Sequence, residues 1–314
     1  MAPRGSDPNL TESPVDLKQA LQKLKAKDLP EGPADAPVAP AKSPVRGGGA
    51  SAAKAPLIEI FHSVQGEGRF VGNPMAFLRV ATCPLRCLYC DTPHSYTAPA
   101  RFPVKLGVRD LQEPNPVAAD RAAELVRQVL GAGETGAKVH RVSVTGGEPL
   151  VFPEFVRDFG RCVRQKGVRV HLETAAIDPE ALAQCIEQVD HLSADYKLPE
   201  TLGAPAKPEL ALAPGASYGA QHRRCVEIAQ KRGATVDVKI VLTDKVGDAS
   251  FERALADLEG LKEKLLLVLQ PATPFGAVTR TVARPELERF LALAVKKQFD
   301  VRVLPQVHKQ LQLP

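Results

Sequence analysis

Tryptophan is absent from these 314 residues, and only 4 tyrosines and 2 methionines occur. So few aromatic faces provide no platform on which nucleic-acid bases would stack. An excess of one charge is lacking too. Against 36 Asp and Glu stand 41 Lys and Arg, and the resulting +5 is scattered, too little for a nucleic-acid-binding stripe. No apolar run is long enough to span a bilayer. The first residues lack the apolar core of an export signal. Six cysteines fall outside any regular disulfide framework, which suits a reducing compartment. These absences lead us to expect a globular cytoplasmic protein with neither a membrane nor a nucleic-acid partner.

What is present begins unevenly. Residues 1–55 are dominated by Pro, Ala, Gly, Ser and Lys. Such a segment buries too little apolar surface to offset its ordering entropy, so a disordered tail is expected there and one domain over 56–314. One island, from Val15 to Leu24, has apolar residues at helical spacing after Ser13-Pro14 and would be a short docking helix if it is not part of an inert tail.

Three of the six cysteines do stand together. Cys83, Cys87 and Cys90 are spaced C-x3-C-x2-C on one short loop. A structural zinc site or an ordinary iron–sulfur cubane uses four protein ligands. Three thiolates leave one iron of a [4Fe–4S] cluster open to a small molecule, which suits S-adenosylmethionine held by its amino and carboxylate groups. The plainer alternatives are a zinc site completed by a distant residue such as His94, or unligated thiols. Cys162, Cys185 and Cys225 sit singly on expected helices and read as packing thiols. His62, His140, His171, His191 and His222 have no paired spacing and read as structural.

The remaining pattern alternates. Leu57–Phe61 and Met75–Val80 read as strands, and residues 93–116, rich in proline, as a surface insertion. Helices are expected near 118–130, 153–166, 179–188, 217–232, 249–260 and 285–297. Apolar strands are expected at 139–145, 168–173, 190–196, 235–242, 265–270 and 300–304. Repeated βα units argue for parallel strands covered by helices. Counted from the strand before the cysteines they number about seven, which gives an α/β incomplete (βα) barrel, open at one side. Polar motifs fall at the strands' carboxyl ends: the cysteines, Gly146-Gly147-Glu148-Pro149, Glu173-Thr174, Asp195-Tyr196-Lys197, Gln270-Pro271, and Pro305 to Lys309. Together they describe one polar mouth. The paired glycines let backbone approach a ligand closely, although a simple strand-to-helix turn would also use them.

The cysteine spacing resembles the radical S-adenosylmethionine superfamily. Over residues 57–314 the chain resembles, more narrowly, the 7-carboxy-7-deazaguanine synthase family. The residues that carry this likeness are Glu59 to Gly68, Phe77-Leu78-Arg79, Cys90-Asp91-Thr92, Thr145 to Pro149, Glu173-Thr174, Asp195 to Pro199, Gln270-Pro271 and Gln306 to Pro314. The resemblance implies a lyase of the queuosine and deazapurine pathway. It would convert 6-carboxy-5,6,7,8-tetrahydropterin to 7-carboxy-7-deazaguanine, with loss of ammonia by radical ring contraction. It implies a [4Fe–4S] cluster on Cys83, Cys87 and Cys90, and Mg²⁺ on Thr92. Substrate contacts would come from Val64, Gln65, Gly66, Arg79, Thr145 and the carboxylate of Pro314. S-adenosylmethionine would be held by Tyr89, Cys90, Asp91, Gly147, Asp195, Tyr196, Lys197 and Gln270. A flavodoxin-type electron donor and a homodimer are implied as well.

Two departures stand out. Asp195-Tyr196-Lys197 replaces a common Ser-Pro-Lys, and Ala175-Ala176 replaces Asn-Gly. The competing readings are an activase of a glycyl-radical enzyme, which predicts neither Gln65–Gly68 nor Gln306–Pro314, and a non-catalytic zinc-binding protein.

Overall fold

Strands with one apolar and one polar face, each followed by an amphipathic helix, wrap into a half-open cylinder. The computed structural model describes residues 53–107, 110–132, 140–206, 211–213 and 215–313. All belong to one compact unit. The expected tail lies outside the described residues up to residue 52, and with it the island at 15–24.

In chain order the strands are β1 (Lys54–Ala55), β2 (Leu57–Val64), β3 (Pro74–Val80), β4 (Arg101–Lys105), β5 (Asp110–Pro114) and β6 (Val117–Ala118). After them come β7 (Arg141–Gly146), β8 (Arg169–Thr174), β9 (His191–Tyr196), β10 (Thr235–Leu242), β11 (Leu265–Pro271) and β12 (Val301–Val303). The helices are α1 (Ala119–Ala132), α2 (Pro153–Arg164), α3 (Pro179–Cys185), α4 (Gly219–Lys231), α5 (Asp248–Leu258), α6 (Arg284–Lys296) and the short α7 (Val307–Gln310). The expected βα alternation from residue 118 onward matches this order.

Ten strands form one sheet in the order β12-β11-β10-β9-β8-β7-β3-β2-β4-β5. From β3 to β12 every neighbour is parallel, seven strands in all. The ends β12 and β5 do not pair, so the barrel is incomplete. The insertion at 93–116 is more ordered than its sequence suggests. It holds a 3-10 turn at Pro93–Tyr96 and the β4–β5 hairpin, and β4 pairs parallel to β2. Pro103 hides this strand from a sequence reading, because proline interrupts a ladder except near a sheet edge.

Alternation separates two environments. Leu78, Val144, Leu172, Leu192, Ile240 and Leu269 point outward and pack with Phe155, Phe159, Phe251 and Phe290 of the helices. The opposite face is polar: Arg79, Glu173, Ser193, Asp195 and Lys239 face the interior. Helix starts are fixed locally. Asp178 caps α3 by accepting from Ala181 N at 2.8 Å, and Pro153 opens α2.

Between β2 and β3 the segment Gln65–Phe70 enters the barrel and runs along β10. Glu67 meets Lys239, and Arg69 N donates to Asp237 at 3.4 Å. Beside it β3 and β7 run in register, Arg79 opposite Thr145, and their following loops cross closely. Gly147 N donates to Val80 O at 2.8 Å, and a Cβ on Gly147 would lie 2.0 Å from Thr82 O. Thr82, at φ 69°, begins the cysteine loop. Backbone cannot yield as a side-chain tip does, so Gly147→Ala should destabilise the fold by about 2–3 kcal/mol. A urea midpoint that does not move would show that the two loops slide apart freely.

Candidate active site

The carboxyl ends of the strands enclose a cavity of about 470 Å³. Most residues singled out from the sequence line it: Cys83, Cys87, Cys90, Thr92, Val64, Gln65, Gly66, Arg79, Thr145, Tyr89, Asp91, Gly147, Asp195, Lys197 and Gln270. Two do not belong to that set. Pro314 lies outside the described residues. Tyr196 is outside the lining: its side chain turns to the helix side of the sheet, where its hydroxyl donates to Asp257 Oδ2 at 2.6 Å and its ring lies 4.3 Å from that of His222. Strand periodicity is the cause, since Asp195 and Lys197 take the inner face.

The cysteine loop is held from several sides. Thr82 N donates to Ser95 O at 2.6 Å, and Glu148 N to Thr82 O at 2.9 Å. Arg86 donates to the carbonyls of Cys83 and Leu85 and lies over the Tyr96 ring at 3.8 Å. Leu88 N reaches Thr201 O, and Gly203 N reaches Arg86 O. Burial pushes the Cys83 thiol up to about 12, with Glu148 adding to the shift, and burial raises Cys87 as well. Such thiols stay protonated until a metal takes them as thiolates. His94, the candidate fourth zinc ligand, is exposed and outside the cavity lining. Among the described residues no three His, Cys, Asp or Glu side chains converge as a mononuclear metal site requires.

The donor set fits a cluster-bound organic cofactor. Three soft thiols occupy one wall. Asp195 Oδ1 and Gln270 Oε1 are buried acceptors without a partner. Leaving such an acceptor unpaired costs about 1–3 kcal/mol, so both are suited to the hydroxyl and ammonium donors of S-adenosylmethionine. Glu148 lines the cavity and also holds its own turn. Its carboxylate accepts from Leu150 N, Thr174 Oγ1 and Ala175 N, tying the Gly-Gly-Glu-Pro turn to the end of β8. Ala176, where the family carries glycine, adopts φ 51°. Its methyl is fully buried in the core, which offsets part of that strain.

A ladder of alternating charge crosses the cavity floor. Lys239 bridges Glu67 and, at 3.7 Å, Asp195. Asp195 pairs with Lys197 at 2.5 Å, and Lys197 donates to the Tyr89 hydroxyl at 3.0 Å. Burial alone would raise the Glu67 carboxyl, but the Lys239 ammonium holds it down at about 2. Deeper inside, Asp237 accepts from His191 and from Ser193 Oγ at 2.8 Å.

Gln65 is fixed at the cavity edge. Its amide donates to Glu173 Oε1 at 2.8 Å and faces His171 Nδ1 at 3.4 Å, while its Oε1 accepts from Glu67 N at 3.1 Å. The carboxyl-terminal segment closes over this turn. Val307 N donates to Gly66 O at 3.0 Å, and His308 packs so close that a Cβ on Gly66 would lie 2.0 Å from its Nδ1. Gln306 Nε2 reaches Glu67 Oε1 at 2.8 Å and Asp91 Oδ2 at 3.2 Å, and Lys309 pairs with Asp91 at 2.7 Å. The sequence reading placed Glu173 at the mouth but missed Phe61, Phe77 and Lys239 as lining residues. Inward alternation along β2 and β3 could have found the phenylalanines. Lys239, in the middle of an apolar strand, finds its partners Glu67 and Asp195 far away in sequence, where no local pattern shows them.

The Radical SAM superfamily model matches residues 79–258. A 7-carboxy-7-deazaguanine synthase of Methanopyrus kandleri is 35% identical over 256 residues, covering 81% of this chain and 92% of the relative. One of Geobacter sulfurreducens is 35% identical over 260 residues, covering 81% and 96%. Among solved structures, QueE from Escherichia coli superposes with a TM-score of 0.51 at 19% identity, covering 81% of this chain and 95% of that one. At that identity it shows the fold alone, an incomplete barrel of the same type.

The buried histidines make stability depend on pH. Burial, reinforced by His191, pushes His171 from an ordinary 6.5 down to about 3. Burial and the Lys197 ammonium do the same to His222. Both are neutral when folded and take up protons below 6.5 when unfolded. Their contribution is complete above pH 6.5 and is lost as pH falls from there towards 3. At pH 5.5 each should cost about 1.4 kcal/mol. Denaturant midpoints measured from pH 7.5 to 5 should fall accordingly, and less steeply in His171→Asn or His222→Asn. Parallel slopes in the variants would mean that other groups take up the protons.

Proposed function

From the premise that this chain belongs to the 7-carboxy-7-deazaguanine synthase family of radical S-adenosylmethionine enzymes, we propose that it converts 6-carboxy-5,6,7,8-tetrahydropterin to 7-carboxy-7-deazaguanine with loss of ammonia. The observation that supports this substrate is the company of side chains in one cavity. Three thiols share it with Arg79, anchored to Glu59 through Nε, and with the pinned Gln65–Glu67 turn. A radical enzyme acting on an uncharged substrate has no need of that arginine.

Cys83, Cys87 and Cys90 would hold a [4Fe–4S] cluster, and Asp195, Lys197, Tyr89, Asp91, Gly147 and Gln270 would hold S-adenosylmethionine. Together these two groups supply the one-electron chemistry that begins hydrogen-atom abstraction. The chain's own share is binding and orientation. Arg79 matches the substrate carboxylate with its planar fork. Val64, Gln65, Gly66 and Thr145 would seat the pterin ring, with Thr145 beside Arg79 on the neighbouring strand. The ladder from Glu67 to Lys197 keeps every buried charge paired, so the bound cofactor meets fixed dipoles instead of mobile water. Thr92 Oγ1, which lies 3.4 Å from Asp91 Oδ1, would offer a hard oxygen to Mg²⁺. The same reading includes a flavodoxin-type one-electron donor, a homodimer and a place in the cytoplasm. Among the described residues no helix is long and apolar enough to cross a membrane.

Anaerobic turnover of the cluster-reconstituted protein tests the proposal. With 6-carboxytetrahydropterin, S-adenosylmethionine, dithionite and Mg²⁺, 7-carboxy-7-deazaguanine should appear by mass. Formation of 5′-deoxyadenosine with the pterin untouched would preserve the radical chemistry and remove the substrate. Thr92→Ala should lower Mg²⁺-dependent turnover at least about tenfold while the cluster's absorption is unchanged, since removing one metal ligand weakens metal use and not cluster binding. Wild-type rates in that variant would take Mg²⁺ off this residue.

A further inference from the structure

The β4–β5 hairpin has so far been given no part in the site. Its last inward-facing residue is Lys105, and Lys105 Nζ lies 2.7 Å from Glu59 Oε2. The other carboxylate oxygen of Glu59 accepts from Arg79 Nε at 3.1 Å. Glu59 and Arg79 stand directly opposite on antiparallel β2 and β3, so the pair is set by register. We propose that Lys105, acting through Glu59, positions Arg79 for the substrate carboxylate, which makes the hairpin a specificity element of the cavity. The inference rests on the carboxylated-pterin reading above.

Three features of the geometry support it. The first is the freedom of Arg79's far end. Nε is engaged by Glu59, and neither Nη atom has a hydrogen-bond partner among the described residues, although the side chain lines the cavity. A guanidinium held by Nε alone presents both Nη groups as a fork, the bidentate match for a carboxylate.

Confinement is the second. A Cβ on Gly146 would lie 2.6 Å from Arg79 Cγ, so the stem of the arginine already fills that space. Beneath it the Phe61 ring carries Arg79 at 5.6 Å and Lys105 at 5.3 Å, and stacks on Phe77 at 5.1 Å. The arginine has a wall, a floor and one anchoring acceptor.

The third is charge. Arg79 with Glu59 alone is a neutral pair with no net attraction for an anion. Lys105 restores one positive charge to the cluster, so Glu59 can orient Arg79 without repelling an incoming carboxylate. The two cations in turn keep Glu59 ionised, its carboxyl held below the usual range against the opposing effect of burial.

The test separates orientation from simple charge. Equilibrium dialysis would measure binding of 6-carboxypterin and of pterin, which lacks the carboxylate, to the reconstituted protein loaded with S-adenosylmethionine and left oxidised. Wild type should prefer 6-carboxypterin. Lys105→Ala should weaken 6-carboxypterin about tenfold, equivalent to 1.4 kcal/mol, and leave pterin unchanged, with Lys105→Arg restoring the preference. Glu59→Ala decides the mechanism, because it removes the acceptor of Arg79 Nε and also makes the site more positive. An effect of charge alone predicts tighter 6-carboxypterin, whereas loss of the anchor predicts weaker binding. Lys105 is half-exposed, and its variants should melt with wild type. If wild type does not favour the carboxylated ligand, the substrate reading itself fails. If it does, and Lys105→Ala binds normally or Glu59→Ala binds tighter, only this inference is overturned.

Discussion

An ammonium buried in the middle of a parallel strand has to be neutralised from within the protein. Lys239 sits on the inner face of β10, and its partner Glu67 comes from a turn 172 residues earlier. Asp195, 3.7 Å away and already paired with Lys197, is the weaker partner, so Glu67 supplies most of the compensation. The pairing therefore pulls the segment after β2 into the cylinder. Gln65 and Gly66 are carried to the cavity rim by the same displacement, and Asp237 receives Arg69 N further down. Much of what looks like a ligand-binding turn is thus also the solution to a packing problem.

The layering was legible because it follows from period. Parallel strands covered by helices on one side announce themselves as apolar runs at βα spacing, and the seven strands from β3 to β12 lie where that spacing puts them. The mouth was legible for a related reason, since polar motifs gather at one end of each strand. What stayed hidden depended on contacts distant in sequence. Lys105 lies in a stretch with Pro103 and no clear alternation, and only pairing with β2 reveals its direction. Tyr196 turns its side chain away from the cavity that Asp195 and Lys197 line, because a strand alternates its side chains. At Glu148 two backbone amides and a hydroxyl of this chain meet the carboxylate, one of them from the end of β8. Motif spacing says that a carboxylate is needed there. It does not say which hydrogen bonds reach it.

The site also shows how one face of a sheet can serve two electrostatic tasks. Around Asp195 and Lys197 each charge has an opposite neighbour, and the two unpartnered oxygens, on Asp195 and Gln270, are acceptors. At the other rim the balance tips to positive, with Arg79 and Lys105 sharing Glu59. A cofactor rich in donors and an anionic substrate are thereby sorted to opposite ends of one chamber before either makes a specific contact.

The closure made by the segment after β12 bears on the order of synthesis. Asp91 of the cysteine loop is joined by Gln306, 215 residues further along the chain, and by Lys309. Gly66 likewise waits for Val307 and His308. As the polypeptide emerges from the ribosome, the thiols are therefore made long before the wall that shields them. Metal delivered to the nascent chain would meet an open, water-exposed loop. The loop without those contacts and the loop closed beneath them are thus successive conditions of the growing chain.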